Sequence, residues 1–312
     1  MGSTLWPGIA GAQAAWPTRP LKIVDPNSPG GSTDVMARMI GSKLGPRLSQ
    51  SVIVENKPGA GLALGTEAVA KAPPDGYTLL LSSTAQATNA AAGRKLSYDF
   101  MKDLVPIGQI GSTPLIIVVA ADAPIKTMRD LIEQARAKRD VIRYSSSGIG
   151  SMSHIGMELL AAETKANLTH VPYRGVSLAI PDLLSGQVQC ALGTVATYSS
   201  LLESGKLRAL AVASPQRSPF LPNVPTTAEA GFPGYVIEFT WGLVGPRGIP
   251  ADVVRRLNTE LNAVLALPET REFLARTAAV PTPMTPEEYG RVNAFEVVRW
   301  TKLIKDLNIR VE

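Results

Sequence analysis

The strongest constraint in this sequence is a repeated order of elements: a short β-branched run, a loop rich in glycine and proline, then an amphipathic helix. Leu21–Val24 begins the pattern, and Val52–Val54 and Ile142–Ser145 repeat it. Such repeats are typical of α/β proteins, in which a mostly parallel sheet carries helices on both faces. Because open α/β sheets bind ligands beyond the carboxyl ends of their strands, the loops that follow strands are the functional candidates.

The length of the chain indicates two such sheets. At 312 residues it exceeds what a single hydrophobic core usually organises. Leu104–Ile110 and Leu115–Ala120 are predicted as separate strands, and the C-terminal helices, which lack strands of their own, are expected to pack back on the first sheet. The predicted organisation is a first lobe over residues 16–110, a second lobe over 111–232, a return to the first lobe over 233–312, and a ligand cleft between them.

Composition excludes several classes of protein. A single cysteine, Cys190, rules out an intrachain disulfide framework and a cysteine-based zinc site, and the two histidines are too few for a histidine-rich metal centre. The net charge of +5 would suit nucleic acid, but the lysines and arginines are scattered singly among acids. We therefore expect no metal, no cofactor and no nucleic-acid partner.

Residues 1–15 are interpreted as the remnant of an export signal. Leu5–Ala15 is mildly apolar and uncharged, and Ala12-Gln13-Ala14 has the small-x-small form of a signal-peptidase site. The alternative is an ordinary alanine-rich tail, since no basic segment precedes the apolar stretch. No other stretch approaches the roughly 20 apolar residues that a membrane span needs. We therefore expect an exported protein.

The first candidate ligand loop, Pro29-Gly30-Gly31-Ser32-Thr33, follows the first strand and begins a helix. Helix starts expose unpaired N–H groups at the positive end of the helix dipole, and together these suit an anion. The glycines let a ligand approach the backbone, and Ser32 and Thr33 add hydroxyl donors. The alternative is a capped strand-to-helix turn that binds nothing.

A second loop repeats this arrangement between a later strand and helix: Ser147-Gly148-Ile149-Gly150-Ser151, followed by His154. Two such helix starts facing one cleft would hold a molecule with two acceptor ends. His154 falls in the first helical turn, where we expect a neutral imidazole that donates a hydrogen bond. A structural histidine is the alternative to a ligand contact.

Two further residues are candidates for the same cleft. Tyr173 belongs to Val171-Pro172-Tyr173-Arg174-Gly175, which follows another strand and is otherwise a rigid surface turn. Asp182 lies in the next helix and could accept a hydrogen bond from a ligand amine. Alternatively, Asp182 only favours the N-terminus of its helix.

The glycine loop Gly59–Gly65 suggests a competing function, that of an NAD(P)-dependent oxidoreductase. Its spacing is GxGxxxG instead of GxGxxG, and the next strand, Thr78–Leu81, ends in two serines and supplies no acid for a ribose. No GxSxG elbow, Walker A lysine or HExxH motif is present. Ser151 and His154 lack an evident orienting acid for nucleophilic catalysis. We therefore expect no enzymatic activity.

A series of short segments occurs in a specific order along the chain. They are Trp16–Pro20, PGGSTDVMAR at Pro29–Arg38, VENKPGAG at Val54–Gly61, AKAPPDGYTLL at Ala70–Leu80, SxGxGSxxH within Ser145–His154, VPYRG at Val171–Gly175, DLLSGQV at Asp182–Val188, GKLRALAV at Gly205–Val212, VPTTAEAG at Val224–Gly231 and PRGIP at Pro246–Pro250. In this combination the sequence resembles the Bug (TctC-type) solute-binding proteins of tripartite tricarboxylate transporters. The resemblance covers essentially the whole mature chain.

The resemblance implies a type II periplasmic binding protein fold, with two lobes that each contain a central mostly parallel sheet flanked by helices. It implies a periplasmic receptor without catalysis, which closes its lobes over a small carboxylate and delivers it to a membrane permease. The inner carboxylate would be held by Pro29–Thr33 and Ser147–Ser151, partly through water. We further expect a monomer.

One departure from the family pattern bears on the size of the ligand. After Leu81 the chain reads Ser82-Ser83-Thr84-Ala85-Gln86-Ala87-Thr88-Asn89-Ala90, with alanine where bulkier residues are frequent in the family. If this loop, Thr84 included, lines the cleft, the pocket is roomier than a four-carbon diacid requires. The expected ligand is then a dicarboxylate, with a bulkier or aromatic skeleton favoured. The alternative is a packing difference outside the pocket.

Overall fold

The computed structural model of the chain describes residues 16–93, 95–137 and 141–306. Its strands are β1 (Leu21–Asp25), β2 (Val52–Asn56), β3 (Thr78–Ser83), β4 (Leu104–Ala120), β5 (Ile142–Ser146), β6 (Leu168–Pro172), β7 (Cys190–Thr194), β8 (Leu207–Val212), β9 (Glu238–Pro246) and β10 (Val280–Pro281). Its helices are α1 (Ser32–Leu48), α2 (Ala63–Ala70), α3 (Thr84–Ala91), α4 (Phe100–Asp103), α5 (Met128–Ala137), α6 (Met152–Thr164), α7 (Val176–Leu184), α8 (Val195–Glu203), α9 (Ala251–Ala266), α10 (Pro268–Arg276) and α11 (Pro286–Asp306). The predicted alternation of strand, loop and helix is confirmed, while the predicted export remnant at residues 1–15 lies outside the described residues.

The strands form one continuous ten-stranded sheet in the order β2-β1-β3-β9-β4-β7-β5-β6, with β8 and β10 paired to β4. At each end the pairing is parallel: β1, β2 and β3 with their helices make the first wing, and β5, β6 and β7 with theirs make the second. In the middle, β4 and β9 pair antiparallel with each other and with their neighbours. The sheet is therefore mixed, not mostly parallel, because these two strands carry the chain between the wings in opposite directions.

Residues 104–120 form one strand instead of the two predicted. Proline normally interrupts a strand, but the ladder shifts its register beside Pro106 and again before Gly111, and proline is tolerated at such bulges. β4 pairs with β9 as far as Pro114 and with β7 from Leu115 onward. A single long strand therefore belongs to both wings.

The chain passes between the wings where three backbone segments meet. Leu115 N donates to Ile237 O at 3.2 Å, Ile237 N donates to Ala213 O at 2.9 Å, and Ala213 N donates to Leu115 O at 2.8 Å. We propose Pro114–Leu115 and Ile237–Glu238 as the crossing points between the lobes. The lobe bounds at residues 110 and 232 remain a prediction from sequence.

Each wing buries its own hydrophobic core. In the first wing Leu21, Ile40 and Leu261 are fully buried, and in the second wing Ile117 and Leu160 are. Helix α9 packs against α1 and β4 in the first wing, as expected for the C-terminal helices. The sheet thus separates two cores that are connected through β4 and β9.

Helix α11 departs from the expectation that the C-terminal helices pack only on the first sheet. Its Tyr289 is buried in a first-wing cluster, whereas Trp300 is buried in the core of the second wing. Trp300 Nε1 donates to Glu296 Oε2 at 2.8 Å, and Arg299 Nη2 donates to Val236 O at 2.7 Å. The helix therefore belongs to both wings.

The contribution of α11 to the second wing can be measured. Trp300→Ala should lower the free energy of unfolding by about 3–5 kcal/mol, because it removes a fully buried indole and leaves a cavity. Val298→Ala is the matched control on the same helix: Val298 is 69% exposed, so its truncation should change stability by less than about 0.5 kcal/mol. Urea unfolding followed by circular dichroism measures both, and equal effects would contradict the assignment.

Candidate functional site

A cavity of about 1100 Å³ lies between the two wings. Both predicted ligand loops border it, one from each wing. The predicted site residues that line it are Pro29, Gly30, Gly31, Ser32, Thr33, Ser147, Gly148, Gly150, Ser151 and Tyr173. Thr84, His154 and Asp182 do not line it. The fold thus brings two loops that are distant in sequence to a single space.

The first loop places the start of α1 at the cavity. The helix begins at Ser32 with Gly31 as its N-cap, and Gly30 has a φ of +83°, a left-handed conformation that favours glycine. The first-turn N–H groups have no acceptor within the helix. Among the described residues, neither Ser32 Oγ nor Thr33 Oγ1 forms a hydrogen bond. Backbone and hydroxyl donors are therefore available at the positive end of the helix dipole.

Asp34 braces the first loop from behind. Its buried carboxylate accepts hydrogen bonds from Gly30 N at 2.9 Å and from Arg38 Nε at 3.1 Å. Burial opposes ionisation, but the hydrogen bonds from Arg38 and Gly30 outweigh it and hold the pKa of Asp34 below its ordinary value. Asp34 is therefore a charged support for the loop.

Asp25 lies fully buried behind the same loop. Its carboxylate accepts hydrogen bonds from Asn27 N at 3.0 Å, Asn27 Nδ2 at 2.9 Å and Asn56 Nδ2 at 3.2 Å. Burial raises the pKa of Asp25 to about 6, and the charge of Asp34 adds to the shift. Asn56 Oδ1 in turn accepts from Arg38 Nη2 at 2.9 Å. One polar network therefore holds both ends of the first loop.

The second loop places the start of α6 at the cavity. Ser151 is the N-cap of this helix, and its Oγ accepts from His154 N at 3.3 Å. Gly148 and Gly150 have φ values of +132° and +77°. Since the first-turn N–H groups of α6 lack acceptors within the helix, the second loop repeats the anion-binding arrangement of the first. Ser151 both caps the helix and borders the cavity.

The two histidines brace the second loop and do not reach the cavity. His154 Nδ1 accepts from Gly150 N at 3.2 Å, and the His154 ring stacks on His170 with centroids 4.0 Å apart. His170 Nε2 lies 2.6 Å from Ser146 Oγ. Burial lowers the pKa of both imidazoles to about 4, with the neighbouring His154 adding to the shift of His170. His154 is therefore neutral near pH 7; because its Nδ1 accepts a hydrogen bond, the ring proton lies on Nε2.

The segment after β3 forms helix α3 instead of the predicted loop. Ser83 and Gln86 make a capping box, in which Gln86 Oε1 accepts from Ser83 N at 2.8 Å. Thr84 is buried, and its Oγ1 lies 2.9 Å from Thr240 Oγ1 on β9. The hydroxyl of Thr84 is thus engaged inside the protein, which removes this residue from the cavity wall.

The alanines of α3 point in different directions because the segment is helical. Ala85 borders the cavity, together with Ser83 and Asn89. Ala87 and Ala90 pack into a first-wing hydrophobic cluster. The expectation of a roomier pocket therefore rests on Ala85 alone within this segment.

Tyr173 borders the cavity, and Asp182 holds it in place. The Tyr173 hydroxyl donates to Asp182 Oδ2 at 2.6 Å, and Tyr173 N donates to Ser146 O at 3.0 Å. Burial, together with this hydrogen bond, raises the pKa of Tyr173 to about 12. Asp182 thus positions the tyrosine from outside the cavity, where the sequence predicts a direct ligand contact.

One wall of the cavity is aromatic and was not among the predicted site residues. Phe239 and Trp241 on β9 border the cavity, with their ring centroids 5.2 Å apart in an edge-on arrangement. Leu115 and Leu192 extend this apolar surface. Trp241 Nε1 is buried and has no hydrogen-bond partner in the described part of the chain. The i, i+2 spacing of the two aromatic residues in a predicted strand is the signal that could have found them, since alternate residues share a face.

The glycine loop that suggested a dinucleotide also borders the cavity, through residues 59–62. Gly65 is packed against the backbone of two other segments: a Cβ there would lie 2.8 Å from Lys57 O and from Pro26 Cα. No carboxylate side chain lines the cavity within the described ranges, so the acid that a dinucleotide ribose needs is missing from that wall. Nor do residues 16–93, 95–137 and 141–306 hold a group of three or more His, Cys, Asp or Glu side chains placed to bind a metal ion.

Comparison with known proteins agrees with this geometry. The model of the tripartite tricarboxylate transporter family receptor matches residues 36–309. Protein BugT of Bordetella pertussis is 34% identical over 309 residues, which cover 98% of this chain and 95% of BugT. The structure of MatC from Rhodopseudomonas palustris with bound malate is 31% identical with a TM-score of 0.87, covering 93% of this chain and 100% of MatC. An R. palustris protein with adipate is 34% identical with a TM-score of 0.89, covering 94% and 99%.

The fold and the cavity define a protein of the periplasmic-binding-protein-like α/β class, with helix starts from two wings meeting at one cleft. The chain belongs to the family of tripartite tricarboxylate transporter receptors, which includes the Bug proteins. The resemblance drawn from short sequence segments is thereby confirmed. Members of this family are solute-binding receptors and not enzymes.

The state of the two histidines gives a prediction for titration. Because burial lowers both pKa values from 6.5 to about 4, the imidazole C2 protons should keep their neutral chemical shifts at pH 6 in the ¹H NMR spectrum. The contribution of the two imidazoles to the free energy of unfolding should fall as the pH drops from 6.5 toward 4, because the unfolded chain takes up protons there that the folded chain does not. Asp25, whose pKa burial raises to about 6, contributes in the opposite direction over the same range. For the buried His154 the loss should approach about 3 kcal/mol, and for the partly exposed His170, whose shift depends in part on His154, it should be smaller.

The same titration in concentrated urea is the control, since both imidazoles should then have midpoints near their ordinary value of about 6.5. A C2 signal of the folded protein with a midpoint near 6.5 would contradict the burial of its imidazole.

Proposed function

We propose that the chain is a solute-binding receptor that captures a small dicarboxylate in the cavity and delivers it to the membrane permease of a tripartite tricarboxylate transporter. The observation that carries the proposal is that the N-termini of α1 and α6, which belong to opposite wings, border one cavity. Each brings first-turn N–H groups, hydroxyls and the positive end of a helix dipole. Two such ends facing one space suit a carboxylate held from both sides.

The size and wall of the cavity favour a ligand larger than a four-carbon diacid. A volume of about 1100 Å³ slightly exceeds the range of about 300–1,000 Å³ that is usual for small-molecule pockets. Phe239, Trp241 and Leu115 offer an apolar surface to a carbon skeleton. The relatives with malate and with adipate support the ligand class, and we propose a dicarboxylate of adipate length or greater, aromatic diacids included.

Binding, without catalysis, is the role that the cavity wall supports. Within the described chain the wall offers hydroxyls, amides, an indole, backbone groups and the guanidinium of Arg174, with no carboxylate, imidazole or thiol among them. General acid–base and nucleophilic catalysis depend on such groups. The alternative of an NAD(P)-dependent oxidoreductase loses support because Gly65 is packed against backbone and the wall lacks an acid for a ribose.

We place this receptor in the periplasm, as a monomer whose two lobes close over the ligand. No helix in the described part of the chain is both long and apolar enough to cross a membrane. A ligand that contacts both helix starts favours the closed arrangement through contacts that the open arrangement lacks. The closed and loaded receptor is the form that a permease would recognise.

A thermal-shift screen tests the proposal. Purified protein is heated with mono-, di- and tricarboxylates and, in separate samples, with NAD⁺ and NADP⁺. A ligand at 100 times its dissociation constant stabilises the native state by about 2.7 kcal/mol, so dicarboxylates should raise the melting temperature by several degrees. A rise with a dinucleotide and none with any carboxylate would overturn the proposal.

The free hydroxyl of Ser32 provides a sharper test. Ser32→Ala should weaken the binding of the best dicarboxylate by about 1.5 kcal/mol, the lower range for a hydrogen bond to a charged group. Its stability should not change, because the hydroxyl has no partner among the described residues. The matched control is Ser42→Ala on the same helix, whose Oγ donates to Met39 O and does not border the cavity.

Ser151→Ala should differ from Ser32→Ala in one respect. It removes the N-cap side chain of α6, so it should lower the free energy of unfolding by about 1 kcal/mol. It should also weaken the binding of the ligand. Titration calorimetry and urea unfolding separate the two effects. Wild-type affinity in Ser32→Ala would mean that the start of α1 does not hold the ligand.

A further inference from the structure

We propose that Arg174 selects ligands with a second carboxylate: its guanidinium binds the acid group that the two helix starts do not hold. The inference rests on the proposed function of a carboxylate receptor, and it assigns the residue that makes a dicarboxylate the preferred ligand. It arises from the charge, the position and the free donors of this side chain.

Arg174 is the one charged side chain on the cavity wall within the described ranges. It forms no ion pair, hydrogen bond or ring contact with another described residue. The two acids behind the first loop do not border the cavity. Asp25 accepts a hydrogen bond from Asn27, and Asp34 accepts one from Arg38. The positive charge of Arg174 is therefore not neutralised by a described neighbour.

The backbone that carries Arg174 is held on both sides. Tyr173 before it is hydrogen-bonded through its N–H and through its hydroxyl. Gly175 after it has a φ of +125°, and α7 begins at the next residue. Tyr173 O lies 3.5 Å from where a Cβ on Gly148 would be, so the turn packs against the second ligand loop. Since its side chain is exposed, Arg174 stands at the open side of the cavity, next to one of the helix starts.

A second carboxylate is the group that this arrangement recognises. The planar guanidinium matches a carboxylate with two parallel hydrogen bonds, a geometry that a lysine ammonium lacks. A monocarboxylate held by the helix starts would leave its apolar tail beside an unpaired cation, whereas a dicarboxylate would place its second charge there. Because the side chain is exposed, water screens the pair and the gain in affinity is moderate.

Titration calorimetry with two matched pairs of acids tests this role: adipate against hexanoate, and phthalate against benzoate. Each pair shares most of its carbon skeleton and differs by one carboxylate. Arg174→Gln should weaken the binding of the preferred dicarboxylate by about 3- to 5-fold, and the affinity for its monocarboxylate partner should change by less than about twofold. Arg174→Lys should retain part of the preference. Arg255→Gln, which removes an exposed arginine from α9 away from the cavity, should bind like the wild type.

The outcomes separate this inference from the proposed function. Equal dicarboxylate affinity in Arg174→Gln and the wild type would overturn the role of Arg174 while leaving a carboxylate receptor. Equal losses of affinity for both acids of a pair would also overturn it, since the effect would then be structural. A comparable loss of affinity in Arg255→Gln would do the same, since it would reflect net charge and not the position of Arg174. A wild-type protein that binds none of the four acids would overturn the inference and the proposed function together.

Discussion

In both wings a glycine N–H donates to a side chain four residues further along the chain, and the binding site depends on this contact. Gly30 N donates to Asp34, and Gly150 N donates to His154. A helix start can bind a ligand only if its first-turn donors are free and the loop before it stays clear of them. Asp34 and His154 fix the path of each loop from behind. In α6 one first-turn donor, His154 N, is engaged by Ser151 Oγ, and the other first-turn donors of the two helices stay unoccupied within the described chain. The same arrangement therefore keeps two helix starts open toward one cavity.

The buried side chains behind the two loops differ in charge, and this difference affects the electrostatic potential in the cavity. Behind the first loop, Asp25 and Asp34 face a single guanidinium, that of Arg38, so ionisation of Asp25 leaves a net negative charge there. Behind the second loop, His154 and His170 are neutral above about pH 4. An anion near the first helix start is therefore opposed by a buried charge that the second helix start lacks. For the dicarboxylate that we propose, the second wing, which also carries Arg174, is therefore the more favourable side.

The sequence predicts that the two glycine- and serine-rich loops meet at one cleft, because both follow strands of an α/β sheet and begin helices. It predicts side-chain directions poorly: His154 follows the second loop directly, yet its ring turns inward to meet another imidazole from β6. Helix α3 was missed because an alanine- and threonine-rich segment resembles a loop, although Ser83 and Gln86 have the spacing of a capping box. The continuity of β4 through Pro114 depends on a change of pairing partner, which is a tertiary property that no local pattern encodes.

The placement of α11 constrains how the lobes can close. Tyr289 and Trp300 are buried in different wings, so a closure that pulled either from its core would cost about 3–5 kcal/mol, as much as truncating it. A rotation about the segments that pass between the wings avoids that cost. Leu115, Ala213 and Ile237 are hydrogen-bonded to one another at these segments, and α11 packs along β4 beside them. Small backbone changes at such a hinge move the distant parts of the two wings through larger distances. In the closure that we propose, a ligand that contacts both helix starts supplies the differential binding that favours the closed state.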